Sequence, residues 1–252
     1  MVQLKSLFKL APALAIKYFK KKNNKFSWDW YELWQDAHQK SFTVAKAMRE
    51  DILKDIRSTL DKALSEGKTF KDFSKELKPT LQKKGWWGEV VAVDSDGVAE
   101  KVQLGSMYRL KTIYSVNMQV AYQTGRYKTQ VENVDNRPYW EYVAVLDSKT
   151  RPEHAQLHGL VFRYDDPFWA SFYPPNGWRC RCRVNALSER NVHKKNVIIE
   201  KSSGRLSQEE KLVSKKSGEY KPVIVYTEPL TNKKIAPDVG WSHNPASGFS
   251  VE

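Results

Sequence analysis

Residues 146–184 read LDSKTRPEHAQLHGLVFRYDDPFWASFYPPNGWRCRCRV, and the punctuation of this stretch constrains the fold more than any other part of the chain. Pro152, Gly159, Pro167, Pro174, Pro175 and Gly177 rule out a long helix or strand across it, so it must fold as short elements joined by tight turns. Thr150 and Glu153 stand at capping-box spacing, Pro152 suits a first helical turn and Gly159 suits a helix end. This predicts a helix of about two turns with His154 and His158 on one face. LVFRY then reads as a strand, DDPFW as a turn and PPNG as a second turn. WRCRCRV alternates strictly. As a strand it sets Trp178, Cys180, Cys182 and Val184 on one face and Arg179, Arg181 and Arg183 on the other.

The residues before this stretch carry helical periodicity. Residues 4–22 suit an amphipathic helix that ends in Lys20, Lys21 and Lys22 before the Asn23-Asn24 break. From Thr43 a spacing of three and four runs through Val44, Ala47, Met48, Ile52, Ile56, Leu60 and Ala63 to Gly67, which predicts one long helix with a glycine cap. Thr69, Phe70, Phe73, Leu77 and Leu81 suggest another, interrupted at Pro79 and ended by Gly85. VVAVDSDGV reads as a turning segment with a tight turn at Asp96-Gly97, and residues 104–128 resume the helical pattern. Beyond it YWEYVAVL and PVIVYTEPL read as strands, residues 204–218 as a solvated excursion rich in Ser, Lys and Glu, and TNKKIAPDVG as a turn. The expected fold class is α+β, with a helical N-terminal region over residues 1–130 and a small α+β region of short strands and tight turns over residues 131–252.

An apolar fraction of 40%, with nine Trp, twelve Tyr and ten Phe, is enough for a packed core and excludes a disordered tail. The formal charge of +13 calls for a polyanionic partner: nucleic acid, an acidic protein surface or an anionic membrane. The membrane is the weakest of these. The N-terminal apolar run is broken by Lys9 and Pro12, its lysines follow the run where a signal peptide has them before it, and no other stretch reaches spanning length. A soluble, cytoplasmic chain without membrane anchoring is expected. Cys180 and Cys182 lie too close on one strand for ordinary disulfide geometry, which points to thiols or metal ligands.

His154, His158, Cys180 and Cys182 supply four donors of the types zinc accepts, as a structural staple. The competing reading makes the thiols small buried hydrophobes and gives the histidines backbone or carboxylate partners. An enzymatic reading would draw on Asp147, Glu153, His154, His158, Cys180 and Cys182, with a zinc-bound water and Glu153 as base. The chain has no H-E-x-x-H, no H-x-E paired with P-C-x-x-C and no phosphate loop, so no catalytic residue and no required cofactor is assigned. Arg151, Arg163, Arg179, Arg181 and Arg183, together with Lys20, Lys21 and Lys22, suit phosphates or an acidic protein groove, and without a base-reading motif the DNA contact would be sequence-independent and salt-sensitive. A solvated face is the bland reading for any one of them. The block Phe26, Trp28, Trp30, Tyr31 and Trp34 suits core or a docking surface, and Trp178 and Trp241 suit packing anchors beside glycine turns.

The ordered set D-x-K-T-R-x-x-H-x-x-L-H-G-x-x-F at residues 147–162, DPFW at 166–169 and PPNGWRCRC at 174–182 resembles the phage Mu protein F-like family of minor head proteins, which carry the head-morphogenesis domain. Residues 27–46, 67–88, 109–127 and 236–248 are similar to further blocks of that family, which predicts a complete protein with little room for an added effector domain. Some relatives carry Cys where this chain has His154, and His where it has Gly177; by that comparison His158 would have to take over as a ligand. The resemblance implies a minor capsid protein that joins the procapsid through portal protein and major capsid protein. It would assist head assembly, double-stranded DNA packaging or delivery, in the virion or in the host cytoplasm during assembly. Two rival readings stand beside it: a zinc-stabilised DNA-binding protein without a virion role, and a metal-dependent nuclease or toxin-like enzyme.

Overall fold

The computed structural model describes residues 4–35, 37–94 and 97–249. It is an α+β protein whose chain divides into two compact units, residues 1–122 and residues 123–252.

The first unit is built on α1 (Leu4–Lys21), α3 (Glu50–Glu66) and α4 (Phe70–Lys83), with the short β1 (Asn23–Asn24), α2 (Ala37–Lys40) and β2 (Ser41–Phe42) between α1 and α3. Helix α3 packs against both α1 and α4. Its buried Ile52, Ile56, Leu60 and Ala63 recur every three to four residues, and Phe73, Leu77 and Leu81 of α4 do the same. Each such side chain contributes about 1.5–3 kcal/mol relative to an exposed one. Gly67 closes α3 at φ 67°, as its position predicts, donating its N–H to the Ala63 carbonyl. Thr69 and Asp72 form a capping box that starts α4.

Two expectations for these helices are corrected. Residues 43–49 do not begin α3: Lys46 takes a left-handed φ of 63°, and its N–H goes to the Ser27 carbonyl at 2.9 Å, so the helix starts at Glu50. Pro79 does not interrupt α4, which runs on to Lys83. Burial of Leu77 and Leu81 on either side outweighs the one helical hydrogen bond that proline removes.

The segment expected to turn is a hairpin of β3 (Glu89–Val93) and β4 (Ala99–Gln103), antiparallel in register from Glu89–Gln103 to Val93–Ala99. Asp96, half of the expected tight turn, lies outside the described residues. Helix α5 (Met107–Val131) follows, and the boundary between the units falls inside it. In the first unit its Tyr114 ring lies against Phe73 at 5.3 Å, and the Tyr114 hydroxyl donates to the Lys68 carbonyl at 2.7 Å.

In the second unit the elements are β5 (Tyr139–Val143), α6 (Pro152–Gln156), β6 (Val161–Arg163), α7 (Phe168–Phe172), β7 (Arg183–Leu187), α8 (Glu189–Lys195) and β8 (Ile199–Glu200). Then come β9 (Leu206–Ser214), β10 (Glu219–Thr227) and β11 (Lys234–Ile235). One sheet has the order β7-β5-β6-β8, with β5 antiparallel to both neighbours and β6 parallel to β8; the other has the order β11-β10-β9. The core is aromatic. Phe162 stacks on Phe168 at 4.1 Å, Phe168 on Phe172 at 4.6 Å, and Trp140 meets the edge of Trp169 at 5.7 Å. DDPFW is therefore more than a turn, because Phe168 and Trp169 begin α7 and fill this core. Residues 206–214, expected in solvent, are β9, paired along β10.

Strand β7 stands at a sheet edge, where unpaired carbonyls are a liability. Side chains cover them. Gln123 donates to the Cys182 carbonyl at 3.0 Å just before the strand, Arg126 and Gln130 donate to that of Val184 at 3.0 and 2.9 Å, and Arg137 donates to that of Ala186 at 3.1 Å. The every-second-residue period of the carbonyls matches the pleat of the strand. These contacts fix the backbone on which Cys182 is carried.

Candidate metal centre

Helix α6 is a single short turn capped by Arg151 without a side-chain bond, with Pro152 in its first turn. The expected Thr150–Glu153 capping box is absent, because the Thr150 hydroxyl donates instead to the Val145 carbonyl. Asp147 organises the loop before it. Its carboxylate accepts from the Lys149 N–H at 3.0 Å and from Arg181 at 2.7 and 2.5 Å. The helix then points His154 inward, only 3% exposed.

The loop after α7 brings up the cysteines. A cis peptide joins Pro174 to Pro175, and buried Asn176 accepts from the Tyr142 hydroxyl at 2.9 Å. Trp178 and Arg179 make a turn, Arg179 at φ 57°, so the strand alternation does not extend back to them and β7 begins only at Arg183. Trp178 is 38% exposed and meets the edge of the Trp241 ring at 5.3 Å. From Cys180 onward the alternation holds: Cys180, Cys182 and Val184 are buried while Arg181 and Arg183 are exposed.

Neither thiol is in a disulfide, and both face the imidazole. His154 Nδ1 lies 3.6 Å from Cys180 Sγ and 3.6 Å from Cys182 Sγ, and the three donor atoms all fall within 4.8 Å of one another. The other ring nitrogen, Nε2, is buried with no hydrogen-bond partner. Cys182 is pushed down to about 7, first because the Cys180 thiol donates to it, with help from Tyr142, Arg181 and Arg151 and against the effect of burial. Cys180 is pushed up, first by giving that hydrogen bond and then by burial. One imidazole nitrogen and two sulfurs, buried and convergent, are a donor set that suits zinc.

His158 is not part of this group. Helix α6 ends at Gln156, which takes His158 off the face that carries His154, and its Nδ1 accepts from the Ala144 N–H at 3.2 Å. Gly177 carries no ligand either, and a Cβ at that position would run into the Asp238 carboxylate. Asp238 is held by Arg151 at 2.9 Å. Of the other candidates for acid and base work, Glu153 is exposed and Asp147 is committed to Arg181. Tyr142, beside Cys182, was not singled out from the sequence, although the alternation of Trp140, Tyr142 and Ala144 along YWEYVAVL marks it as inward-facing.

The basic candidates fare unequally. Arg151 pairs with Asp238, Arg163 with Asp165 at 2.8 Å and Arg181 with Asp147. Arg179 is half-buried, and Arg183 is exposed with no ion pair among the described residues. Lys20 and Lys21 are exposed, Lys20 lying 3.9 Å from Asp61. Lys22 turns inward: it is 7% exposed, donates to the His38 carbonyl at 2.6 Å and lies over the Tyr18 ring. Burial, and then the nearby Arg57, push it down to about 7. Its expected place in an anion-binding patch is corrected accordingly. In the aromatic block Trp28 is buried under Lys46, while Phe26 is 44% exposed.

The chain is 47% identical over 243 residues to the putative capsid assembly protein F of Escherichia phage Mu, covering 95% of this chain and 55% of that protein. It is 43% identical over 223 residues to the Mu-like prophage FluMu F protein of Haemophilus influenzae, covering 88% and 53% respectively. The chain therefore spans about half the length of the curated relatives it matches. No solved structure matches it. The Phage Mu protein F like protein family matches residues 54–185, from α3 to the middle of β7 and so across His154, Cys180 and Cys182. On these matches, the chain belongs to the Phage Mu protein F like family.

Proposed function

We propose that this chain works in phage head assembly as a minor capsid component, binding portal protein and major capsid protein and contacting double-stranded DNA without reading its sequence. The observation that carries this reading is the 47% identity, over 95% of the chain, to a protein named for capsid assembly. The net charge of +13 supports the contact with DNA. The work is binding, and no step of it calls on the chain for catalysis. Among the described residues no helix is long and apolar enough to cross a membrane, which suits a partner in the virion or the assembling procapsid.

The test is co-purification of the tagged chain with portal and major capsid proteins from its own locus, with and without nuclease at moderate salt. Retention of portal protein after nuclease treatment is expected. Recovery of nucleic acid alone would overturn the reading in favour of a DNA-binding protein without a virion role. Metal-dependent cleavage of DNA that disappears in His154→Ala would overturn it in favour of an enzyme.

A further inference from the structure

His154, Cys180 and Cys182 come from two separate parts of the second unit, a one-turn helix and the lead-in to an edge strand. Other side chains tie the two parts as well, Arg181 to Asp147 and Thr150 and Arg151 to the Trp178 carbonyl, but no backbone ladder joins them. Residues 178–182 belong to no strand or helix, and α6 has no side-chain cap. Yet all three side chains are buried, at 3%, 5% and 2% exposure, and their donor atoms converge. The buried imidazole turns Nδ1, not the unpartnered Nε2, toward the sulfurs, and gives up the hydrogen bonds that water made to it. Two thiols at 3.6 Å return little, since sulfur is a weak hydrogen-bond partner.

We propose that this trio is a structural zinc site with three protein ligands: His154 Nδ1 and the thiolates of Cys180 and Cys182. Zinc binds thiolate sulfur at about 2.3 Å and imidazole nitrogen at about 2.0–2.1 Å, so a tetrahedral angle sets the nitrogen and each sulfur about 3.6 Å apart. Both separations in this chain are 3.6 Å. His158 is not a ligand, because its Nδ1 is taken by the Ala144 N–H, and the remaining position is left to water. Binding releases to solvent whatever protons the two sulfurs still carry as they coordinate. The ion ties α6 to the start of β7, whose outer carbonyls are already fixed by Gln123, Arg126 and Gln130. The proposal does not rest on the head-assembly reading and survives its failure.

The test is made on the full chain, purified without chelator and without a metal-affinity column. Elemental analysis is expected to find one zinc per chain. After chelation, cobalt(II) is expected to restore the fold with a thiolate-to-cobalt charge-transfer band. That measurement needs no variant and so does not depend on a mutant folding. His158→Ala is expected to keep the metal and the band, whereas His154→Ala and Cys182→Ser are expected to weaken metal binding by at least about tenfold, the loss that even an outer partner's removal brings. Absence of the cobalt band, or melting unchanged by chelation, would overturn the site and leave the thiols as packing groups. A chain mass lower by two hydrogens, restored by a reductant, would overturn it in favour of a cysteine redox pair.

Discussion

Asp147 and Arg181 stand far apart in sequence but are joined by two short hydrogen bonds in front of the buried trio. The guanidinium, with the Lys149 N–H, holds the Asp147 carboxyl well below the usual carboxylate range. A carboxyl whose folded pKa is depressed contributes stability above its unfolded pKa of about 3.9, and that contribution fades as pH falls through the folded value. Asp147→Asn is therefore expected to melt below the parent chain at neutral pH, by a small margin because both groups are solvated, and the gap is expected to close in acid below about pH 4. Paired thermal melts across that range check this, and a gap that stays constant into acid would show that the ion pair is not its source. At this scale the alternate burial of Cys180 and Cys182 was legible, since alternation needs only an extended backbone. The shared face of His154 and His158 was misread, because the i,i+4 rule assumes a helix continuous through both histidines, and α6 stops at Gln156.

Among the elements, the coverage of β7 is the clearest link between sequence and packing. Gln130 is buried at 9% exposure on an otherwise polar turn of α5, and it bonds in two directions: it donates to the Val184 carbonyl and accepts from the Tyr173 hydroxyl at 2.7 Å. Replacing it with leucine keeps most of the volume and orphans the buried tyrosine, which costs about 1–3 kcal/mol. Gln130→Leu is expected to lower the urea midpoint followed by tryptophan fluorescence, since Trp140 packs against Tyr173. An unchanged midpoint would mean that the edge of β7 does not depend on these contacts. The helices α3 and α4, which sequence reading caught, have one apolar face each. The elements it missed lack that signal. Strand β9 is polar along most of its length and is held by its backbone ladder to β10 and by charges such as Glu209 with Lys211 and Lys234, while the apolar burial belongs to Val223 and Val225 of β10. The hairpin of β3 and β4 buries Val102 but leaves Val91, Val93 and Val98 exposed, so its valines gave no consistent buried face.

For the whole chain, the net charge of +13 was plain in the sequence, but which cations stay exposed was not, because the acids that neutralise them are brought in by the fold. Arg151 meets Asp238 and Arg181 meets Asp147 across long loops, and Lys22 is withdrawn from the surface altogether. Side chains such as Lys20, Lys21 and Arg183 remain exposed. If the chain contacts double-stranded DNA through them, the logarithm of its affinity falls linearly with the logarithm of salt concentration, with a slope of about −0.9 per phosphate neutralised, and is the same for unrelated sequences. Two double variants separate exposed lysines from an arginine held in a bidentate ion pair. Lys20→Gln with Lys21→Gln is expected to weaken binding and flatten the slope by up to about 1.8, two phosphate contacts at the same rate. Asp147→Asn with Arg181→Gln leaves the net charge unchanged and is expected to leave both affinity and slope unchanged, because the arginine it removes is already spoken for. Fluorescence anisotropy on two duplexes of unrelated sequence across a salt series measures both. A slope untouched by loss of the two lysines would place the DNA contact elsewhere on the chain, and equal losses in the two variants would show that the bidentate Asp147–Arg181 pair does not keep that arginine from the phosphates.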